Sequence, residues 1–299
     1  MLRNYMTCSG IVFLGLLVVL PTARAAEAVS VSAIEEESGV EHGKINTPDA
    51  SPVDPGHFEI ESSYGYTHSK RYWDNDGDTH ARGLAREQSV GLSLTVGVIE
   101  NLDVAVGGNY AWLKDNDNDF DADDAAFGPA SGHDFGDLEL SGRYRFIENK
   151  ENSFELAYIG GFTLPTGSSS DRDEIGTSQE FWSFNQTLVA SKDWGKWTAN
   201  ADIGYALPLG NKRENARGTF NADVAVGYQW LSWLQPEVEL NYGHDFLTDE
   251  DDSEGLATTV GLVMPVNDQY RVNLGVQQGL WGRNSDKATT LYGAVKLAF

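Results

Sequence analysis

From residue 57 to the last residue, apolar and polar side chains alternate with a period of two, in runs separated by polar connections. Phe58, Ile60, Tyr64 and Tyr66 stand against Glu59, Glu61, Ser63 and Thr67. Val90, Leu92, Leu94, Val96 and Val98 oppose Ser89, Gly91, Ser93, Thr95 and Gly97. The same holds for Leu102, Val104, Val106, Tyr110 and Trp112 against Asp103, Gly107 and Asn109. Leu138, Leu140, Tyr144 and Phe146 oppose Glu139, Ser141, Arg143 and Arg145. Successive residues of a strand point to opposite faces, so each run is a strand with one apolar and one polar face. Further strands are predicted over 154–164, 181–192, 197–207, 220–230, 238–246, 256–264, 270–280 and 288–299, which makes twelve. The run 181–192 is the least regular, with Phe181 and Val189 opposing Trp182, Phe184 and Leu188.

The connections between these strands alternate in length. Long ones are predicted over 68–87, 114–135, 166–179, 208–218, 247–255 and 282–287. Short turns fall between them, near Glu100-Asn101, 149–152, 193–196, Ser232-Trp233 and Asn267-Asp268. Short periplasmic turns alternating with long extracellular loops are the layout of an outer-membrane barrel, and a Greek-key sandwich would not produce it. Aromatic residues sit on the apolar parity at both strand ends: Tyr66, Tyr110, Trp112, Tyr242 and Phe246 at one, Phe58, Phe146, Phe154, Trp197, Trp230 and Phe299 at the other. Two aromatic girdles suit the two interfaces of a bilayer. The predicted fold is therefore all-β: a closed antiparallel transmembrane β-barrel of about twelve strands.

The rest of the chain refines this picture. Residues 1–25 read as a secretory signal peptide, with Arg3 before an apolar core at 11–20 and Ala23-Arg24-Ala25 as the cleavage site. The single cysteine, Cys8, lies in that leader, so the exported chain needs no disulfide. Residues 26–56 are polar, carry Pro48, Pro52 and Pro55, and read as a flexible periplasmic extension, with a plug or docking segment as the other reading. The barrel then spans 57–299. After the leader no apolar run approaches the about 20 residues of a membrane-spanning helix. With 45 acidic against 21 basic residues and a formal charge of −24, nucleic acid is excluded as a partner.

The polar parity of the strands is expected to line the lumen. It carries Glu59, Glu61, Asp103, Glu139, Glu155, Asp202, Asp223, Glu237, Glu239 and Asp245, opposed by Arg143, Arg145, Arg271 and Lys296. Ten acids against four bases favour cations if the lumen conducts. If it is sealed, Arg143 and Arg145 pair with neighbouring acids for structure. Residues 115–124 hold six carboxylates; Asp115, Asp117 and Asp119 have the early spacing of an EF-hand loop, with Asp121 following. Phe120 and Ala126 stand where that loop needs its glycine and its bidentate glutamate, so a solvated acidic tip is the simpler reading. The histidines at 42, 57, 68, 80, 133 and 244 show no spacing that would pair them with a serine or a second metal ligand. No cofactor is expected.

Two kinds of resemblance add to this. The last strand, A-T-T-L-Y-G-A-V-K-L-A-F, resembles the C-terminal strand by which the barrel-assembly machinery recognises outer-membrane barrels, here ending at Phe299. The stretch I-N-T-P-D-A-S-P-V-D-P-G-H-F-E-I from Ile45, L-P-T-G from Leu164, Trp182 and the pair Gly204-Tyr205 resemble outer-membrane proteins of the "MetA-pathway of phenol degradation", or transporter, family. That resemblance implies a passive, porin-like channel in the outer membrane of a Gram-negative cell, passing small organic or aromatic solutes among lipid and lipopolysaccharide. A non-conducting barrel that anchors acidic loops for adhesion or divalent cations is the alternative. A barrel hydrolase is the third, and no catalytic set supports it.

Overall fold

The structure, a computed structural model, describes residues 43–116, 129–170, 174–210, 216–248 and 250–299. Among them it forms one antiparallel sheet: β1 (Phe58–Trp73), β2 (Thr79–Ile99), β3 (Leu102–Asp115), β4 (Ala130–Phe135), β5 (Leu138–Asn149), β6 (Phe154–Leu164) and β7 (Trp182–Trp194). It continues through β8 (Trp197–Leu209), β9 (Ala216–Tyr228), β10 (Gln235–Leu247), β11 (Ser253–Asn267), β12 (Tyr270–Arg283) and β13 (Ser285–Ala298). Except that β4 and β5 do not pair with each other, each strand pairs with its sequence neighbours, and β1 pairs with both β2 and β13, so the sheet closes on itself. Strands β4 and β5 both pair with β3 and form one stave interrupted at Gly136-Asp137, which leaves twelve staves. At the closing seam Phe58 and Phe299 exchange backbone hydrogen bonds at 3.0 and 2.9 Å, and their rings stack at 4.9 Å.

The barrel is apolar outside and polar inside. Along β10, Val238 and Leu240 are 52% and 49% exposed, while Glu237 and Glu239 between them are 2% and 0% exposed. Water would make this arrangement unstable, whereas lipid makes it the only stable one. Exposed aromatics gather at the short-turn end (Phe58, Phe146, Trp194, Trp197, Trp230, Phe299) and near the other end (Trp112, Trp182, Trp281). The irregular strand resolves the same way: Trp182 and Leu188 face outward and Val189 is fully buried inside.

Three expectations change. The long connection predicted over 68–87 is mostly strand: β1 and β2 run on to Trp73 and Thr79, and Asp74 closes the turn by accepting the N–H groups of Asp76 and Asp78. The connection at 282–287 shrinks to a turn at Asn284, which takes a left-handed φ of 46°. Both hairpins outrun the apolar pattern because backbone pairing can continue where the outer face no longer meets lipid.

The third change concerns the segment read as a free extension. Residues 43–55 lie inside the barrel, in the half nearest the short turns, with Lys44, Thr47 and Ala50 buried. A segment that hydrogen-bonds to six or more wall residues along its length is not a tether. The leader and residues 26–42 lie outside the described residues.

The inside-out pattern makes a direct prediction. Leu240→Arg puts a charge on the lipid face and should destabilise the barrel by about 2–4 kcal/mol in denaturant unfolding from lipid vesicles. Unfolding at an unchanged midpoint would mean that this parity does not face lipid.

Candidate functional site: the acid-lined lumen and its seated segment

All eleven residues singled out for the lumen, together with Asp103, Asp245 and Lys296, lie on the inward parity of their strands. They do not form one uniform lining. Near the short turns they are used up in ion pairs, and further along the β8–β10 wall carboxylates accumulate.

The paired region comes first in chain order. Lys296 Nζ lies 2.8 Å from Glu59 and 3.9 Å from Glu61, and Arg271 reaches Glu61 at 4.0 Å. Arg143 holds Asp103 at 2.5 Å and Asp49 at 2.6 Å. Arg145 holds Glu155 at 2.6 Å, and its Nε donates to Asn101 Oδ1 at 3.1 Å. A guanidinium fits two carboxylates at once because its donors form a planar fork. Glu139 faces inward opposite Gly107 and Thr163.

The seated segment follows this wall. Val53 N–H donates to Asp103, Ser51 Oγ to Glu155 at 2.5 Å, and Ala50 N–H to Ser191 Oγ at 2.9 Å. Asn46 Nδ2 donates to Thr259 Oγ1 at 2.8 Å, and Asn273 Nδ2 to the Lys44 carbonyl at 3.3 Å. Ile45 N–H reaches both Glu237 Oε1 and Glu239 Oε1 at 2.9 Å, and Asn46 N–H reaches both oxygens of Glu239 at 3.1 and 3.2 Å. Two carboxylates thus clasp two consecutive amides. Bonds from N–H to a charged acceptor are the stronger kind. Pro48, Pro52 and Pro55 carry no N–H, so three residues of this stretch bring no donor that the lumen must satisfy.

These contacts were out of reach of strand periodicity. Lys44, Ile45, Asn46, Asp49, Ala50 and Ser51 belong to no alternating run, and their partners are far away in sequence, Ile45 from Glu239 by 194 residues. The one available signal was composition: prolines, short polar side chains and two aspartates in a stretch without a charge run.

The outer rim is tied by charge as well. Arg82, buried, holds Asp115 at 2.6 Å and also pairs with Asp286. Asp115 is therefore committed to an arginine; Asp117, Asp119 and Asp121 lie outside the described residues. Among the described residues no three histidine or carboxylate side chains converge closely enough to hold a metal ion. In the loops, His80 lies 2.6 Å from Asp74 and, with the turn amides, holds that carboxyl below its ordinary range. The Leu247 N–H does the same for Asp252, helped by His244. Both carboxyls are depressed, so what they add to the loops is complete at neutral pH and is lost as acid protonates them.

Arg143 is the hub of this site. Arg143→Met leaves Asp103 and Asp49 without their cation and should cost about 3–5 kcal/mol in the same unfolding measurement. Asp103→Asn with Arg143→Met together should recover part of the loss.

The architecture has counterparts among solved structures. It matches an outer membrane channel from Pseudomonas putida F1 at TM-score 0.70 and 15% identity, over 86% of this chain and 100% of that one. It also matches the translocator domain of the autotransporter NalP from Neisseria meningitidis, at TM-score 0.50 and 9% identity, over 83% of this chain and 90% of that one. At these identities the likeness is one of fold. No curated protein matches the chain. The family model described as "Putative MetA-pathway of phenol degradation" matches residues 115–297, a span that contains L-P-T-G, Trp182 and Gly204-Tyr205 but not the stretch from Ile45. That span is more than half of the chain, and the chain belongs to this family.

Proposed function

We propose that the protein is a passive outer-membrane channel for small organic solutes, aromatic compounds among them, opened by movement of residues 43–55 out of the lumen. The closed barrel with an apolar belt and a polar, carboxylate-rich interior carries this reading: such a wall encloses a path through lipid rather than a core. Family membership supplies the link to aromatic compounds, through its description alone. The likeness to an outer membrane channel supports the architecture.

Transport would run along the lumen, where Glu237, Glu239, Asp202 and Asp223 outweigh the nearby cations and set a preference for positive charge. Glu59, Glu61, Glu139, Glu155, Arg143, Arg145 and Arg271 set the shape and field of the short-turn half. In this reading the acidic loops face lipopolysaccharide, and the strand ending at Phe299 is the handle for the assembly machinery. The seated segment also suits a second reading, a closed barrel that serves to anchor acidic surface loops.

Conductance separates the two. Refolded protein in planar bilayers should show discrete steps with a cation-selective reversal potential, and Glu237→Gln should weaken that selectivity. The Ala50→Cys and Ser191→Cys pair, when oxidised, should abolish the steps, and dithiothreitol should restore them. A folded barrel that never conducts, reduced or oxidised, would reject the channel in favour of the anchored-loop protein.

A further inference from the structure

The wall formed by β8, β9 and β10 carries a ladder of polar side chains that the ion pairs of the lumen do not absorb. Three rows of facing residues climb from the short turns: Thr198, Gly227 and Glu237; Asn200, Ala225 and Glu239; Asp202, Asp223 and Asn241. Residues two apart on a strand share a face, so all nine positions look into the lumen. Four are carboxylates, and Glu237 among them has Lys44 and Arg271 in electrostatic contact, the second of which also faces Glu61.

Two observations show that this ladder is built to hold a positive group. First, it already holds one: the Lys44 ammonium lies against the first row, donating to Thr198 Oγ1 at 3.3 Å, with Glu237 as its acidic neighbour. Second, acceptors remain. Glu237 Oε2 and Asp202 Oδ2 are buried and have no hydrogen-bond partner, and the residues are 2% and 7% exposed. The Gln235 carboxamide, fully buried with neither polar atom bonded, folds over Gly227 in the first row; a Cβ on Gly227 would lie 2.7 Å from its Nε2. Buried acceptors without donors are costly, and a ligand that supplies donors recovers that cost.

The donor chemistry follows from the spacing. No three carboxylates in the described residues converge as a metal requires. An ammonium, by contrast, offers three separate N–H donors and is satisfied by acceptors spread over a row. We propose that the ladder from Glu237 and Glu239 to Asp202 and Asp223 is a binding site for organic ammonium ions, protonated amines of small organic solutes, for which Lys44 of the seated segment is a tethered competitor. An amine arriving from the long-loop side meets Asp202 and Asp223 first. It then competes with Lys44 and with the amides of Ile45 and Asn46 for Glu237 and Glu239, which links ligand binding to release of the segment. The inference rests on the channel reading for the route by which the amine arrives, and its test does not need conduction.

Isothermal titration calorimetry of the refolded full chain in detergent, with 2-phenylethylammonium chloride against the neutral 2-phenylethanol, tests the site. The expected result is saturable binding of the ammonium and at least tenfold weaker binding of the alcohol. Asp202→Asn, which keeps the side-chain shape, should weaken ammonium binding at least tenfold. Lys44→Met should tighten it at least threefold, a gain that loss of a merely structural contact would not produce. Equal affinity for amine and alcohol, an unchanged affinity in Asp202→Asn, or weaker binding in Lys44→Met would each overturn the site. If calcium chloride displaces the amine at lower concentration than the amine itself binds, the ladder is a metal site and the ammonium assignment is wrong. A barrel that binds the amine and yet never conducts removes the channel reading and leaves this site standing.

Discussion

A hydrocarbon environment offers no partner to a backbone N–H or C=O, and everything in this protein depends on meeting that constraint by closure. The seam between β1 and β13 is where it is met. From Glu59 against Ala298 to Trp73 against Ser285 the first and last strands pair, and Phe58 and Phe299 seal the inner end with two backbone bonds and a stacked ring pair. Without that seam two strands would present open edges to lipid. With it, the twelve staves close into a ring, and the side chains can be sorted by the single rule that outward residues meet lipid and inward ones meet each other.

That rule explains why the interior is so heavily charged. Carboxylates cannot face lipid, so acids on the strands collect in the lumen, where they must be neutralised or bonded. In the short-turn half, arginines do this: Arg143 for Asp103 and Asp49, Arg145 for Glu155. On the β8–β10 wall there are fewer cations, and the seated segment supplies backbone amides and the Lys44 ammonium instead. The segment is thus part of the electrostatic design of the lumen as well as an obstruction in it. Besides its hydrogen bonds and ion pairs the segment makes a small apolar contact, Ala50 against Ala157 and Val189; a seat that is mainly polar costs less to leave for water than that of a hydrophobic plug.

How much of this was legible in the chain follows from the same physics. Lipid requires an apolar side chain at every second position, so Val238 and Leu240 around Glu239 announce a strand and its two faces without any tertiary information. The rim imposes no such rule, and there the pattern underestimated the strands: β1 and β2 continue to Trp73 and Thr79 through residues such as Lys70, Arg71 and Arg82 that look like loop. The seated segment was illegible for a different reason. Its conformation is set by partners such as Glu239, Asp103 and Ser191, none of them local, and an aperiodic proline-bearing stretch reads the same way whether it is free in the periplasm or pressed against a wall. Position on the inward parity was readable for Asp202 and Asp223, but their accumulation beside Glu239 depends on the order of staves around the barrel.

The lumen's electrostatics and its opening both depend on residues 43–55 occupying the folded barrel. Residue-resolved amide hydrogen exchange of the full chain in lipid addresses this directly. The amides of Ile45, Asn46, Ala50 and Val53 should exchange slowly, well behind an unstructured peptide of the same sequence, because each donates to a wall acceptor. Exchange of all four at the rate of the free peptide, with the strand amides of the barrel protected, would mean that the segment is outside and that the lumen is lined by its strands alone.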